Sequence, residues 1–305
     1  MNRGPQLIEK IVKSRVLFPM ALIFSISAWA LTPYNWIVAL IYSIMTVFLW
    51  NFERHFSLFR TKSQLHLTFF VLFSTLTPTL HTNIAGSIIM LLVGISLYIL
   101  YDSYQQRDAV LALHFIGIIA GIGALIDAKT TLFIFLIWFI AYQVQAIHFK
   151  GFVSSLLGIV LPIILWIAYL VVNNDIAQFY EFIGQYKYLY IPQILTYQWM
   201  NWTVLGSITF LVIIATVSIL KNSHYDKIRT STYINLTSIT SLFLIIYIFI
   251  FSDRWTITIP LLYGISSLLV GHYFTKKKGR FIGISLVLII LLIAVMGTYK
   301  IIELK

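Results

Sequence analysis

Two short pairs of opposite charges are the residues in this chain best suited to chemistry. Asp253 is followed directly by Arg254, and Asp127 lies two positions before Lys129. An aspartate can act as a general base, and a guanidinium beside it can bind an anion such as a phosphate. Asp127, Asp253 and Arg254 are therefore candidate catalytic residues. A plainer interpretation is that both pairs are charge pairs at helix ends, and it is the one we favour.

The seven histidines do not follow a metal-binding pattern. No two of them are three or four residues apart, and the chain has no cysteine. Membrane oxygenases and desaturases need a histidine cluster to bind iron, and thiolate metal sites need cysteine. Six of the histidines are assigned to the inner or the outer side of the membrane, whereas His114 is assigned to a span, where a hydrogen bond between helices is its expected role. We predict no metal and no cofactor.

Polar residues that could serve transport are few. None of the ten acidic residues lies inside a predicted span, which argues against a carrier driven by protons or sodium. A passive transporter would still need a polar path. Gln143 and Gln145 are the best candidates for lining one, and both are equally explained as hydrogen bonds between helices.

The composition indicates a protein embedded in a membrane. Of its 305 residues, 60% are apolar and 10% are charged, with a mean hydropathy of +0.91, whereas a soluble domain carries about 25% charged residues. We predict an all-α, polytopic transmembrane helical bundle of about 11 spans, forming a single integral membrane domain over 1–305. The predicted spans are 16–32, 35–51, 65–81, 84–101, 109–126, 130–148, 151–172, 203–220, 233–251, 255–274 and 281–299.

The basic residues fall between alternate spans. With a cytoplasmic N-terminus, sixteen of the 21 Lys and Arg residues lie on the inner side and five on the outer side. The positive-inside rule therefore predicts a cytoplasmic N-terminus and a periplasmic C-terminus. The net charge of +11 then belongs to loops beside anionic lipid headgroups, so no nucleic-acid partner is predicted. The first span resembles a signal peptide ending at Ala28-Trp29-Ala30, and we expect it to stay uncleaved.

One long connection, 173–202, is rich in aromatic residues and falls on the periplasmic side. Ile176, Phe179, Tyr180 and Ile183 share a face at helical spacing, which predicts an amphipathic helix in the membrane interface before a turn at Pro192. The segment is either an interfacial lid without a ligand or a wall of a groove for a lipid or a sugar. The candidate lipid- or glycan-binding residues are Glu181, Tyr186, Lys187, Tyr190 and Trp199.

Two further features predict helix packing. Gly117 and Gly121 form a GxxxG pattern, which lets two helix backbones approach closely. Trp138 and Trp166 lie in the middle of predicted spans and are expected to pack against neighbouring helices.

Four stretches carry a family resemblance. They are FSLFRTKSQLHLTFFVLFSTLTPTLH (56–81), LIWFIAYQVQAIHFKGFVSSLLGIVLPIILW (136–166), HYDKIRT (224–230) and IPLLYGISSLLVGHYFTKKKGRFIGISLVLI (259–289). The chain resembles a family of uncharacterised polytopic inner-membrane proteins of Bacteroidota, whose members are often labelled hypothetical proteins. The resemblance implies a Gram-negative inner membrane and supplies no catalytic residues. Some members have carried a carotene-cleaving oxygenase label, which the histidine spacing gives no reason to accept.

These observations leave three functions open. We favour a protein without enzymatic activity, a cell-envelope component or assembly partner in the inner membrane that contacts membrane lipids and other envelope proteins. The first alternative is an enzyme or flippase acting on a lipid-linked glycan at the periplasmic leaflet, with Asp127, Asp253 and Arg254 in its site. The second alternative is a passive transporter.

Overall fold

A computed structural model describes residues 14, 16–59, 63–106, 109–184, 199–222, 228–276 and 280–303. Within these ranges the chain is helical and has no strand. The α-helices are α1 (Leu17–Ala30), α2 (Trp36–Phe56), α3 (Leu65–Thr75), α4 (Ile84–Asp102), α5 (Val110–Ile126), α6 (Phe133–Gln143), α7 (Phe149–Val172), α8 (Ala177–Gly184), α9 (Trp199–Asn222), α10 (Ile228–Ile250), α11 (Trp255–Lys276) and α12 (Arg280–Glu303). Three short 3₁₀ helices cover Pro78–Thr82, Ala128–Leu132 and Ser252–Arg254.

Eleven of these helices coincide in position with the eleven predicted spans, and α8 lies within the aromatic connection. Among the helices that the structure describes, seven are long and apolar enough to cross a membrane, namely α2, α4, α7, α9, α10, α11 and α12. The chain is therefore a multi-pass membrane protein. The count of eleven crossings and the sides of the two termini stay predictions, because the other apolar helices are shorter.

Large apolar side chains are exposed along several of the helices. Examples are Leu157 and Leu165 on α7 and Leu288 and Val295 on α12. Burial of apolar surface drives the folding of soluble proteins, so helices that expose such residues along their length are suited to contact with lipid.

The described helices gather in two compact units, which we describe one at a time. Unit 1 comprises the described parts of 1–87, 193–248 and 255–305, and unit 2 those of 88–192 and 249–254. The single membrane domain over 1–305 stays a prediction.

Unit 1 is built around α3, all eleven residues of which are buried. Helices α1, α2, α11 and α12 pack against it. Tyr263 of α11 packs on Phe73, and Gly271 lies against His66, so α11 runs antiparallel to α3. A Cβ atom at Gly271 would lie 2.9 Å from the Cβ of His66. The absence of a side chain at this position is therefore what lets the two backbones approach so closely.

Helix α3 ends at Thr75, so the predicted span over 65–81 was wrong in its second half. Eleven residues form a helix of about 16 Å, roughly half of the hydrocarbon thickness. The break follows from Pro78, which cannot donate to the carbonyl of Ser74. Non-helical backbone at membrane depth is tolerated where it is buried in protein, and Leu76, Thr77 and Pro78 are all buried here.

Helix α1 runs parallel to α3. The hydroxyl oxygens of Ser25 and Ser74 are 3.5 Å apart, and further along both segments Thr32 Oγ1 lies 2.8 Å from Nδ1 of His81. These relative directions of α1, α3 and α11 are the ones that the predicted alternation of crossings requires for the first, third and tenth spans.

Unit 2 is built on the contact between α5 and α7. A Cβ atom at Gly117 would collide with the carbonyl oxygen of Ser155, and one at Gly158 with that of His114. Gly121 lies against Ile159, further along both helices, so α5 and α7 run in parallel. The packing face predicted from the GxxxG pattern is confirmed, and the sequence did not single out the matching glycine on α7.

Polar side chains join α7 to both of its neighbours, α5 and α6. Nδ1 of His114 donates to the carbonyl of Ser154 over 3.0 Å, and Nε1 of Trp138 donates to Oγ of Ser155 over 2.9 Å. The predicted packing roles of His114 and Trp138 are therefore confirmed. Trp166 also packs, with its ring centroid 5.3 Å from that of Phe182 on α8.

Two parallel helices need a segment that returns the chain from the end of one to the start of the other. Here it consists of the 3₁₀ helix Ala128–Leu132 and α6, which together extend over about 26 Å. Helix α6 ends at Gln143, earlier than the predicted 148, because Gln145 adopts a left-handed conformation with φ 58°. The N–H of Ala146 then bonds to the carbonyl of Ala141, which is the Schellman pattern.

Candidate functional site

The charged residues singled out from the sequence come together at one end of unit 2. Arg254 Nε lies 3.5 Å from Oδ1 of Asp127 and 3.2 Å from Oδ2 of Asp253. Nζ of Lys129 donates to the same Oδ2 of Asp253 over 2.9 Å. The two predicted pairs are thus one four-residue cluster, which we call the ion-pair cluster (Asp127, Lys129, Asp253 and Arg254).

Local backbone geometry places these side chains. Asp127 follows α5 in an extended conformation, and its carbonyl accepts from the N–H and the hydroxyl of Thr130 over 2.9 and 2.8 Å. These bonds begin the 3₁₀ helix that carries Lys129. Asp253 and Arg254 lie in the 3₁₀ helix between α10 and α11, where the N–H of Arg254 bonds to the carbonyl of Phe251. Both turns are short, so few backbone conformations are open to the four residues.

The members of the ion-pair cluster differ in their exposure. Asp127 is 2% exposed and Lys129 is also buried. Nζ of Lys129 lies 5.4 Å from the ring centre of Phe251, a distance at which the ring face attracts a cation. The side chains of Asp253 and Arg254 are each 30% exposed. A molecule in the aqueous phase would meet these two residues first.

Burial dominates the electrostatics of Asp127. Removal of its carboxyl group from water raises its pKa, and the nearby charge of Arg254 opposes this shift without cancelling it. Neither carboxyl oxygen of Asp127 has a hydrogen-bond partner among the described residues. Asp127 therefore takes up a proton at a higher pH than an ordinary aspartate.

Helix directions place this cluster at the same end of unit 2 as helix α8. Because α5 and α7 are parallel, Asp127 after α5 and helix α8 after α7 lie at the same end of unit 2. The helix predicted from the spacing of Ile176, Phe179, Tyr180 and Ile183 exists as α8, and Ile176, Tyr180 and Ile183 are exposed.

The remaining predicted binding residues are only partly described. Glu181 is exposed on α8. Tyr186, Lys187 and Tyr190 lie outside the described residues, as does the turn predicted at Pro192. The predicted span 203–220 had implied that Trp199 lies in the loop before the helix. In the structure Trp199 is instead the first residue of helix α9. Its role in binding stays a prediction.

The two polar candidates for a transport path lie at one end of a helix, and their role in transport stays a prediction. Gln143 and Gln145 lie at the end of α6 with exposed side chains. Within the described ranges, no three His, Asp or Glu side chains are close enough together to hold a metal ion.

Sequence reasoning named Lys129 only as a neighbour of Asp127 and did not foresee its bond to Asp253. The available signal was the sidedness of the loops, because 127–129 and 252–254 were both assigned to the outer side. No protein-family model, no curated protein and no solved structure matches this chain.

Proposed function

We propose that this chain is a multi-pass protein of a Gram-negative inner membrane that acts in the cell envelope without catalysing a reaction, as a component or assembly partner. The excess of Lys and Arg on one set of loops supports the orientation in that membrane. The resemblance to inner-membrane proteins of Bacteroidota supports the compartment.

The ion-pair cluster carries the proposal of a non-catalytic role. Its two cations and two carboxylates neutralise one another, with Lys129 on Asp253 and Arg254 on both Asp253 and Asp127. A general base or an anion-binding arginine must offer its charge to the substrate. Side chains that already bind each other hold two loops together, which is a structural task.

The cavities of unit 1 agree with this interpretation. One lies between α1, α2 and α3, and another between α3, α9, α11 and α12; neither is lined by a charged side chain. Such surroundings suit an uncharged lipid better than the polar substrate of a transferase or hydrolase.

Complementation tests the proposal. A strain lacking the chain would be complemented with Asp253→Asn, Arg254→Gln and, as the matched control, Glu181→Gln on the exposed face of α8. Membrane abundance, melting temperature in detergent and the profile of lipid-linked glycans would be measured for each. We expect the first two variants to melt at lower temperature while glycans stay normal relative to abundance. A loss of glycan at normal abundance and melting temperature contradicts the proposal.

A lipid-linked glycan enzyme or flippase is the second candidate. It is favoured by one observation, the position of Asp127, Asp253 and Arg254 at the same end of unit 2 as the aromatic helix α8. In this function Asp253 would act as the base and Arg254 would bind a phosphate. Asp253→Asn separates the two functions, because it preserves shape while removing the carboxylate that would act as the base. Full glycan synthesis by this variant excludes an acid–base role for Asp253.

A further inference from the structure

The two carboxylates of the ion-pair cluster are held in different ways. Asp253 accepts a hydrogen bond from Nζ of Lys129 over 2.9 Å, and Nε of Arg254 lies 3.2 Å from the same carboxyl oxygen. Asp127 lies 3.5 Å from Nε of Arg254, and neither of its carboxyl oxygens accepts a hydrogen bond of normal geometry from a described residue. The contact between Asp127 and Arg254 therefore depends on the charge of the carboxylate.

The surroundings of Asp127 disfavour that charge. The residue is 2% exposed and directly follows the C-terminal end of α5, where the carbonyl dipoles repel an anion. Burial raises the pKa of its carboxyl group, and the charge of Arg254 together with the N–H and the ammonium of Lys129 opposes this shift without cancelling it. Proton uptake by Asp127 thus begins above the pH range of an ordinary aspartate.

Proton uptake changes the charge of the whole cluster. The charged groups that face Asp127 among the described residues are Arg254, Lys129 and Asp253. With Asp127 ionised, the two cations and the two carboxylates of the cluster balance each other. With Asp127 protonated, Lys129 still bonds to Asp253 and the cluster carries one positive charge in excess.

Arg254 is the member of the cluster that can present this charge to a ligand. Its side chain is 30% exposed, whereas that of Lys129 is 6% exposed. A guanidinium is planar and carries five N–H donors, which suits it to bind two oxygens of one anion at the same time. The ligand class that fits is a tetrahedral oxyanion, such as a sulfate or a phosphate group.

We propose that proton uptake by Asp127 converts the ion-pair cluster into a binding site for a tetrahedral oxyanion, held by the guanidinium of Arg254. The proton from water neutralises the Asp127 carboxylate and so removes its attraction for Arg254. The bond between Lys129 and Asp253 keeps the two turns together meanwhile. The proposal goes beyond the structural role of the cluster and requires no reaction.

Sulfate binding to the purified full-length protein tests the proposal, because sulfate keeps its double charge across the relevant pH range. Affinity would be measured by titration calorimetry in an uncharged detergent at constant ionic strength, at neutral pH and at pH values approaching the ordinary aspartate pKa. We expect the wild type to bind sulfate about tenfold more tightly at the acidic end, the effect of removing one nearby negative charge in a hydrated site.

The variant Asp127→Asn isolates the titrating group. Its side chain is always neutral, so at neutral pH it should bind sulfate about tenfold more tightly than the wild type does. The histidines gain charge over the same pH range in both proteins, so the comparison at each pH removes their contribution. Equal affinities of the wild type and Asp127→Asn at every pH overturn the proposal.

Two variants of Arg254 test its part in binding. Arg254→Gln should abolish sulfate binding, and Arg254→Lys, which keeps the charge, should bind more weakly with the same dependence on pH. Lys150→Gln is the matched control, because it removes an exposed cation from the start of α7, and it should bind as the wild type does. Wild-type affinity in Arg254→Gln, or an equal loss in Lys150→Gln, overturns the proposal.

The oxyanion could come from a soluble phosphate ester or from a lipid headgroup, which share this chemistry. Glycerol 3-phosphate and dioleoylphosphatidic acid carry the same phosphate monoester, and the one that displaces sulfate at the lower concentration identifies the source. Displacement by neither overturns the proposal. These binding measurements are independent of the glycan profile, so either proposal can fail without the other.

Discussion

His81 donates a hydrogen bond from Nε2 to the carbonyl of Ser74, 3.1 Å away, at the point where helix α3 loses its own donor. In a continuous helix the N–H of residue 78 would fill this acceptor, and residue 78 is proline. Because a carbonyl only accepts, Nε2 carries the proton and Nδ1 accepts from Thr32 over 2.8 Å. One buried ring thus replaces the missing backbone bond and ties α1 to α3.

Replacing His81 should destabilise unit 1 more than the change in side-chain volume alone would. His81→Phe keeps a ring against Trp29 but leaves the buried Ser74 carbonyl without a donor, at a cost of about 1–3 kcal/mol. His81→Gln retains a donor and should cost less. Thermal unfolding in detergent measures both, with His148→Phe at an exposed position as the control. Equal melting temperatures for His81→Phe and the wild type would refute this role.

The close contact of α5 and α7 should not tolerate a methyl group. Gly117→Ala and Gly158→Ala each place a Cβ against a backbone carbonyl, so we expect a loss of about 1–3 kcal/mol from overpacking. Gly206 in α9 has nothing within 4 Å of a built Cβ, and Gly206→Ala should stabilise by up to about 1 kcal/mol. Thermal unfolding compares the three variants. Similar effects at all three positions would show that the contact is not tight.

Stability should depend on pH through Asp127. Its pKa is raised in the folded state by burial, so the folded protein binds a proton at a pH where the unfolded chain does not. The free energy of unfolding therefore rises as the pH falls from above the folded pKa towards the ordinary aspartate range, and falls as the pH rises. Lys129, Arg254 and Asp253 face this group.

The measurement for Asp127 is the difference between wild type and Asp127→Asn in unfolding free energy across this pH range. Subtraction removes the titration of every other group that both proteins share. The asparagine variant should have the flatter profile at its acidic end. Parallel profiles would mean that Asp127 titrates alike in the folded and unfolded states.

Lys129 and Asp253 should be energetically coupled. Asp253→Asn removes the carboxylate that pairs with the buried ammonium of Lys129. Lys129→Met removes the ammonium itself, so that no unpaired buried charge is left. We expect a double-mutant cycle to give a coupling of about 1–2 kcal/mol, reduced by the partial exposure of Asp253. The pair Lys129→Met with Glu181→Gln is the control and should be additive. A coupling energy near zero would show that the ion pair between Lys129 and Asp253 does not stabilise the fold.

Orientation can be tested with single cysteines, because the chain has none. Ala177 and His148 are exposed beyond opposite ends of α7. A membrane-impermeant maleimide should label Ala177→Cys in intact spheroplasts and His148→Cys only after permeabilisation. Labelling of both before permeabilisation contradicts a crossing by α7, and the reversed pattern contradicts the predicted orientation.

Much of the helical order was predictable from local composition. The eleven apolar runs coincide with eleven helices, because the hydrophobicity of a segment depends on its own residues alone. The parallel contact of α5 with α7, and of α1 with α3, agrees with the crossing directions predicted from the Lys and Arg residues.

The ends of two helices were predicted wrongly for a definite reason. The run 65–81 is rich in apolar residues, and hydropathy does not register a missing N–H at Pro78. The end of α6 depends on the left-handed backbone conformation of Gln145, which the residue type does not predict. Both breaks are stabilised by hydrogen bonds that exist only in the folded chain.

The sequence by itself determined that this chain is a helical membrane protein, and it marked Asp127, Asp253 and Arg254 as its most reactive charges. Only the tertiary structure decided that these charges pair with one another and with Lys129 in one cluster. The physical reason is the separation along the chain over which each property acts. Hydrophobicity acts on each segment separately, whereas a hydrogen bond or ion pair between residues 124 positions apart, as for Lys129 and Asp253, depends on how the helices pack.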